Sequence, residues 1–254
     1  MNIVLTNDDG INASGLQALY ENLLTGGHDV TVVAPSSQRS AASRSFTLHR
    51  SYGVKRLSPN MTEIEGTPVD CVMFALQDRQ RPDIVLSGIN HGANIGIDTE
   101  YSGTVGAAVE ACLHNIPALS LSLATLEPSP TVINRCGVLV EQWLDAGLGS
   151  FVTPGVVVNV NFPAVSQLES APIMVTELAS RGYYTNIPVV SRDGTQVEII
   201  QWTLEEPFPP RTDGWGLSSG YITVSIITPQ AHVHAYDDAT RLVSRWVAQW
   251  MNRN

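Results

Sequence analysis

Residues 3–34 read IVLTNDDGINASGLQALYENLLTGGHDVTVVA, and their periodicity changes twice. Ile3-Val4-Leu5 is a short apolar run bounded by the turn chemistry of Asn7-Asp8-Asp9-Gly10, which fits a buried strand. From Ser14 the spacing becomes helical, with Leu16, Leu19, Tyr20, Leu23 and Leu24 recurring at a helical period. Ser14 with Gln17 three positions on reads as a capping box, and Gly26-Gly27 stops the helix. Val30 to Ala34 is apolar again and makes a second strand. Strand, helix and strand in this order, with near-continuous apolar strands, specify a mainly parallel sheet covered on both faces.

The same alternation runs outward from this unit. Thr67 as N-cap and Pro68 in the first turn open a helix with the stripe Val69, Val72, Met73 and Leu76. Ile84-Val85-Leu86 is a strand, and Gly103-Thr104 begins a helix with Val105, Ala108, Val109, Cys112 and Leu113 on one face. Ala118 to Leu123 is a strand, Val132 to Leu144 a helix and Val156 to Val160 a strand. After about residue 163 the pattern changes. Ile173 to Leu178 and Tyr221 to Ile227 read as strands, and Val189 to Ile200 as a β-hairpin around Arg192-Asp193-Gly194. A last helix from about Asp237 carries Leu242, Val243, Trp246, Val247 and Trp250. The expected class is α/β with a C-terminal hairpin and helix extension.

Composition narrows the function. The chain has 254 residues, 43% hydrophobic and 15% charged, enough for a large core. A net charge of −10 with no basic stripe speaks against binding of nucleic-acid polymers. Any phosphate ligand needs local positive charge from a cation or a helix N-terminus. Cys71, Cys112 and Cys136 are odd in number and lack a C-x-x-C spacing, so buried thiols in a reducing compartment are expected. The opening residues have no basic and long apolar leader pattern, and no stretch approaches a membrane span of about 20 residues, so a cytoplasmic protein is expected.

Four segments carry possible chemistry. Asp8 and Asp9 follow the first strand, where Gly10 lets the backbone leave the pleat and the two carboxylates converge; they suit a hard cation, and the same residues also suit a plain turn. Ser36 to Ser43 follows the second strand and offers hydroxyls, with Arg39 and Arg44 as anion partners. Ser87 to Gly96 contains Asn90, His91 and Asn94 among glycines, after the strand at Ile84–Leu86, and matches neither a dinucleotide nor a P-loop fingerprint. Tyr101-Ser102-Gly103-Thr104 precedes a helix, where free N–H groups and hydroxyls can hold an anion, or Ser102 can serve as an ordinary N-cap. In parallel α/β sheets ligands bind at the carboxyl ends of the strands, so these segments are expected to meet. A cation site beside an anion cradle is the equipment of metal-assisted phosphoryl hydrolysis. Adjacent aspartates do not fit the D-x-D pattern of a haloacid-dehalogenase-type phosphatase, and a non-catalytic nucleotide-binding protein stands as the other reading.

Taken together, Leu5-Thr6-Asn7-Asp8-Asp9-Gly10, Ala34-Pro35 leading to Ser40-Ala41, Gly66-Thr67-Pro68-Val69-Asp70, Ser87-Gly88-Ile89-Asn90 through Asn94 and Gly96, and Tyr101-Ser102-Gly103-Thr104-Val105 resemble the SurE family of 5′/3′-nucleotidases. A weaker likeness continues at Thr212-Asp213 and from Gly220-Tyr221 to Thr228-Pro229. The resemblance implies a Rossmann-like core over residues 1–163, and a part from 164 to 254 that completes it. In that second part a hairpin at about 185–203 and the last helix are suited to oligomerisation. It implies hydrolysis of nucleoside monophosphates, and in some members of polyphosphate, by an enzyme forming homodimers or homotetramers. It implies one divalent cation, Mg²⁺ or Mn²⁺, on the residues aligned with Asp8, Asp9, Ser40 and Asn90. It implies phosphate contacts at Asn94, Ser102, Gly103 and Thr104, with Asp8, Asp9 and Asn94 in the catalytic set. The chain departs from the family at Gln230 to Tyr236, where His232 and His234 fit a surface pair better than a metal site lacking a third ligand.

Overall fold

The computed structural model describes residues 1–78, 80–191, 193–203, 207–229 and 236–252. The first half runs β1 (Asn2–Thr6), α1 (Ser14–Thr25), β2 (Asp29–Pro35), β3 (Val54–Ser58), β4 (Met61–Ile64), α2 (Pro68–Asp78), β5 (Ile84–His91) and α3 (Gly103–Leu113). The second half runs β6 (Ala118–Leu123), α4 (Pro130–Asp145), β7 (Val157–Phe162), β8 (Ile173–Val175), β9 (Tyr184–Val190), β10 (Val197–Thr203), α5 (Asp213–Ser218), β11 (Ile222–Ile227) and α6 (Tyr236–Met251).

Nine strands form one sheet in the order β3-β4-β2-β1-β5-β6-β7-β11-β8. The run from β4 to β7 is parallel throughout. β3 and β11 run antiparallel to their neighbours β4 and β7. Chain order reverses between β1 and β5, which opens a crevice at their carboxyl ends.

Alternation along each strand sorts side chains into two layers. Ile3 and Leu5 of β1 pack in a cluster with Leu16 and Leu19 of α1, Leu139 and Trp143 of α4 and Val243 and Trp246 of α6. Val4 packs on the other face with Val72 of α2 and Val105 and Val109 of α3. Trp143 lies against Phe162 and meets Trp246 edge-on, at ring-centre distances of 5.6 and 5.7 Å, so the last helix is tied into the main core. β11 lies between β7 and β8, so residues after 163 complete the same sheet.

Several boundaries differ from expectation. Ser14 is not the N-cap of α1. Ala13 holds that position without a side-chain cap, and Gln17 Nε2 donates to the Ile11 carbonyl at 2.7 Å. The helix start is pressed onto β5, where a Cβ on Gly15 would lie 1.9 Å from the Ile89 oxygen, and the Ser14 hydroxyl meets His91 Nε2 at 3.2 Å. The expected Thr67 cap is present and reciprocal. Thr67 Oγ1 accepts from the Asp70 N–H at 3.1 Å, and Asp70 Oδ2 accepts from the Thr67 N–H at 2.8 Å. The strand at Ile84 does not stop at Leu86 but runs to His91, with a register shift against β6 between Ser87 and Asn90. The pair β3 and β4 forms a sheet edge that the apolar pattern did not announce, since all five β3 residues are exposed. The strand expected at Ile173–Leu178 ends at Val175, and Glu177 continues only as a bridge to Thr212. The C-terminal hairpin is β9 paired antiparallel with β10, although Arg192 at its turn lies outside the described residues. His232 and His234 also lie outside them. Among the described residues no helix is long and apolar enough to cross a membrane.

Candidate active site

The crevice between β1 and β5 is built from the four segments singled out above. Asn7 closes the first turn with its own side chain: Nδ2 donates to the Gly10 carbonyl at 2.9 Å, and Oδ1 accepts from the Gly10 N–H at 3.2 Å. Gly10 sits at φ +102°, a conformation glycine adopts without penalty. The turn is also stitched to its neighbour, since the Arg39 N–H donates to the Asp8 carbonyl at 2.7 Å. A backbone hydrogen bond thus joins the loops after β1 and β2.

Asp8 is buried, and its Oδ1 accepts from the Thr104 hydroxyl at the start of α3. Burial pushes the Asp8 carboxyl up to about 6; the Thr104 hydroxyl works against this and the nearby Asp9 charge adds to it. Asp9 is half-buried, and its Oδ2 accepts from the His91 N–H at 3.1 Å. Burial raises its pKa as well, against that hydrogen bond. Gly103 packs against Asp8, where a Cβ would lie 2.8 Å from Asp8 Cβ and 2.9 Å from Asp8 Oδ2.

A cleft of about 350 Å³ is lined by Asp8, Gln38, Ser40, Asn90, His91, Asn94, Asp98, Tyr101, Ser102 and Leu126, among others. Three of the four expected cation ligands thus share one cleft, and the fourth, Asp9, is bonded to the backbone of cleft-lining His91. Asn90 Nδ2 donates to the Gly92 carbonyl at 2.8 Å, a bond that does not use its amide oxygen. Ser40 Oγ accepts from Gln38 Nε2 at 2.9 Å and keeps a lone pair. Two carboxylates, an amide oxygen and a hydroxyl form a hard-oxygen donor set that fits Mg²⁺ or Mn²⁺.

The expected anion contacts separate into two kinds. Asn94 and Ser102 line the cleft. Ser102 caps α3, accepting from the Val105 N–H at 3.1 Å. Thr104 is fully buried behind Asp8, so its hydroxyl is committed to a carboxylate rather than presented to the cleft. Arg44 is likewise committed, to Glu100 at 2.9 Å.

The support beneath Asn94 escaped the reading of the sequence. Its N–H donates to Asn161 Oδ1 at 2.8 Å, and its carbonyl accepts from Asn159 Nδ2 and Asn161 Nδ2 at 2.9 and 3.0 Å. Its own Nδ2 donates to Ser122 Oγ at 2.8 Å. All three supports are fully buried. Polar residues at every second position of β6 and β7, Ser120 and Ser122 and Asn159 and Asn161, were the available signal. Asp213 is a second such device. Its carboxylate accepts from the N–H groups of Gly96, Ala179 and Gly214 at 2.8 to 2.9 Å and ties the segment after β5 to the C-terminal part.

The description "Survival protein SurE" matches residues 3–185 of the chain. The chain belongs to the SurE family. The protein named 5′-nucleotidase SurE of Pelobacter propionicus is 42% identical over 192 residues, covering 74% of this chain and 76% of its own. The 5′-nucleotidase SurE of Vibrio campbellii is 34% identical over 256 residues, covering 98% and 95%. The crystal structure of the SurE protein from Aquifex aeolicus superposes with a TM-score of 0.74 at 28% identity, covering 94% of this chain and 98% of that one. The SurE match ends within β9, so every segment that lines the cleft falls inside it, whereas β10, α5, β11 and α6 lie beyond.

Proposed function

We propose that the chain is a divalent-cation-dependent 5′-nucleotidase that hydrolyses nucleoside 5′-monophosphates to nucleoside and phosphate. The observation that carries this reading is Asp8 at the strand-order reversal, sharing one cleft with Ser40, Asn90, Asn94 and Ser102, with Asp9 next to it bonded to the backbone of cleft-lining His91. The 5′-nucleotidase names of its relatives support the same substrate class.

Asp8, Asp9, Asn90 and Ser40 would hold the cation. When bound, it neutralises phosphoryl charge and makes a water more acidic. The protein's own work is positioning. The Thr104 hydroxyl donates to Asp8, and the His91 N–H to Asp9. Asn94, clamped from below by Asn159, Asn161 and Ser122, keeps the second hydrogen of Nδ2 for a phosphoryl oxygen. Ser102 adds a hydroxyl at the start of α3, on the side where the helix dipole favours negative charge. Asp9, the more exposed of the two carboxylates, would orient the attacking water or take its proton.

The wider range of this chemistry, 3′-monophosphates and polyphosphate, belongs to the same proposal. So does assembly into a homodimer or homotetramer through β9–β10, which leaves Ile187, Val189, Val190, Val197 and Ile199 exposed on a two-stranded arm. The three buried, unpaired thiols support a reducing, cytoplasmic setting. The test is phosphate release from nucleoside 5′- and 3′-monophosphates and polyphosphate, each with Mg²⁺, Mn²⁺ or a chelator. Turnover of 5′-monophosphates that the chelator abolishes supports the reading; turnover unaffected by chelation, or none with any cation, overturns it.

A further inference from the structure

The cleft is not uniformly polar. Leu126, which follows β6, and Tyr101, which precedes α3, both line it, and they are 61% and 57% exposed. Single exposed apolar residues are ordinary. Two large apolar side chains on the rim of one cleft, with Ala41 and Ala93 also in its lining, suit a ligand with an apolar face.

Their placement follows the sheet. Moving along its carboxyl edge, Ser40 follows β2, Asp8 follows β1, Asn90 ends β5 and Leu126 follows β6. The expected cation ligands extend over β2, β1 and β5, and Leu126 stands one strand beyond Asn90. β1 and β6 are two strand spacings apart, about 10 Å, the length scale of a nucleoside. Leu126 also reaches back toward the site: a Cβ on Gly92 would lie 3.1 Å from Leu126 Cδ2 and 4.0 Å from Asn90 Nδ2. Gly92 thus keeps the floor low where the apolar side chain overhangs it. Tyr101 is held by its backbone, its N–H donating to the Asp98 carbonyl at 3.1 Å and its carbonyl accepting from Ser43 at 2.9 Å. Its ring is therefore presented from a fixed point.

We propose that Leu126 and Tyr101 form the nucleoside-contacting lip of the cleft, so that the site selects a phosphomonoester whose alcohol carries a flat apolar base over a bare sugar phosphate. This rests on the phosphomonoesterase reading above and adds the residues that choose the substrate. Neither side chain offers hydrogen-bond discrimination between base edges of the kind an amide would, apart from the tyrosine hydroxyl, so selection by stacking is expected to tolerate several bases.

The test compares AMP with ribose 5-phosphate in Mn²⁺, using wild type, Leu126→Ala and Leu126→Met. The expected result is that wild type prefers AMP and that Leu126→Ala lowers the ratio of kcat/KM for AMP over ribose 5-phosphate on the order of fivefold to tenfold, mainly through KM. Leu126→Met, which restores the volume, recovers most of the ratio. An unchanged ratio in Leu126→Ala, or an equal loss for both substrates, overturns the assignment while leaving the phosphomonoesterase reading intact. Failure of wild type to hydrolyse either substrate overturns the reading and this inference with it.

Discussion

Thr104 Oγ1 donates to Asp8 Oδ1 across 96 residues of sequence, and this bond joins the end of β1 to the start of α3. Both groups are buried, Thr104 completely. The carboxylate that fills the helix start is the one proposed to hold a cation on its other side.

Thr104→Val keeps the shape and removes the donor. A buried group left without its hydrogen bond costs roughly 1–3 kcal/mol. The proposal expects kcat/KM to fall on the order of 10- to 100-fold, with the acid limb of the pH–rate profile moved to higher pH, because the lost donor had been lowering the Asp8 pKa. A pH–rate profile identical to wild type would show that Thr104 does not act through Asp8.

The same carboxylate makes the metal-free protein pH-sensitive. The Asp8 carboxyl sits near 6 in the fold against an ordinary 3.8, so folding favours its protonated form. That contribution is present below about pH 4 and is lost as pH rises through 6, a loss on the order of 3 kcal/mol at pH 7. In chelator, Asp8→Asn is therefore expected to unfold at a higher temperature than wild type at pH 7, with the gap closing toward pH 4. Mn²⁺ should stabilise wild type more at pH 7 than at pH 5, since protons compete for the same oxygens. Thermal melts at the two pH values, with and without Mn²⁺, decide this; a wild-type melting point that does not respond to Mn²⁺ at pH 7 counts against the site.

Gly103→Ala places a methyl 2.8 Å from Asp8 Cβ. The carboxylate has to move, and activity is expected to fall at least on the order of tenfold while the circular-dichroism spectrum stays native. Full activity in this variant would mean that the position of Asp8 is not critical.

Asn161→Ala removes a donor and an acceptor from beneath Asn94 at once. A stability loss of roughly 2–3 kcal/mol is expected, visible as a melting point lower by several degrees, together with a lower kcat. Ser120→Ala, which removes a hydroxyl bonded to Asn159 rather than to Asn94, is expected to cost stability with little change in kcat. Equal kcat losses in the two variants would detach Asn94 from the chemistry.

How much of this was legible follows from where each signal sits. Asn7 to Gly10 is local: the side chain that closes the turn, the two carboxylates and the glycine are adjacent, and their placement after an apolar run fixes them at a strand end. The Asn94 support is not local. Asn159 and Asn161 lie 65 and 67 residues away, and only the neighbouring of β5, β6 and β7 brings them beneath it. The strand through Gly88 read as a loop because glycines interrupt the apolar run, yet the backbone rejoins the ladder at Asn90 after a register shift. Ser14 read as a cap because a serine precedes the helical spacing, whereas contact between the helix start and β5 turned it toward His91. In the edge pair β3–β4 the outer strand is exposed throughout and carries no burial pattern, and β4 alternates over only four residues.

The central claim is that Asp8, Asp9, Asn90 and Ser40 grip one divalent cation. A crystal of the protein grown with Mn²⁺ under conditions that support turnover, with data collected at the manganese absorption edge, measures this directly. The account predicts one anomalous peak per subunit on the order of 2 Å from oxygens of Asp8 and Asp9, with Asn90 and Ser40 completing the site. No peak there, or a peak elsewhere in the chain with these carboxylates unoccupied, would contradict it.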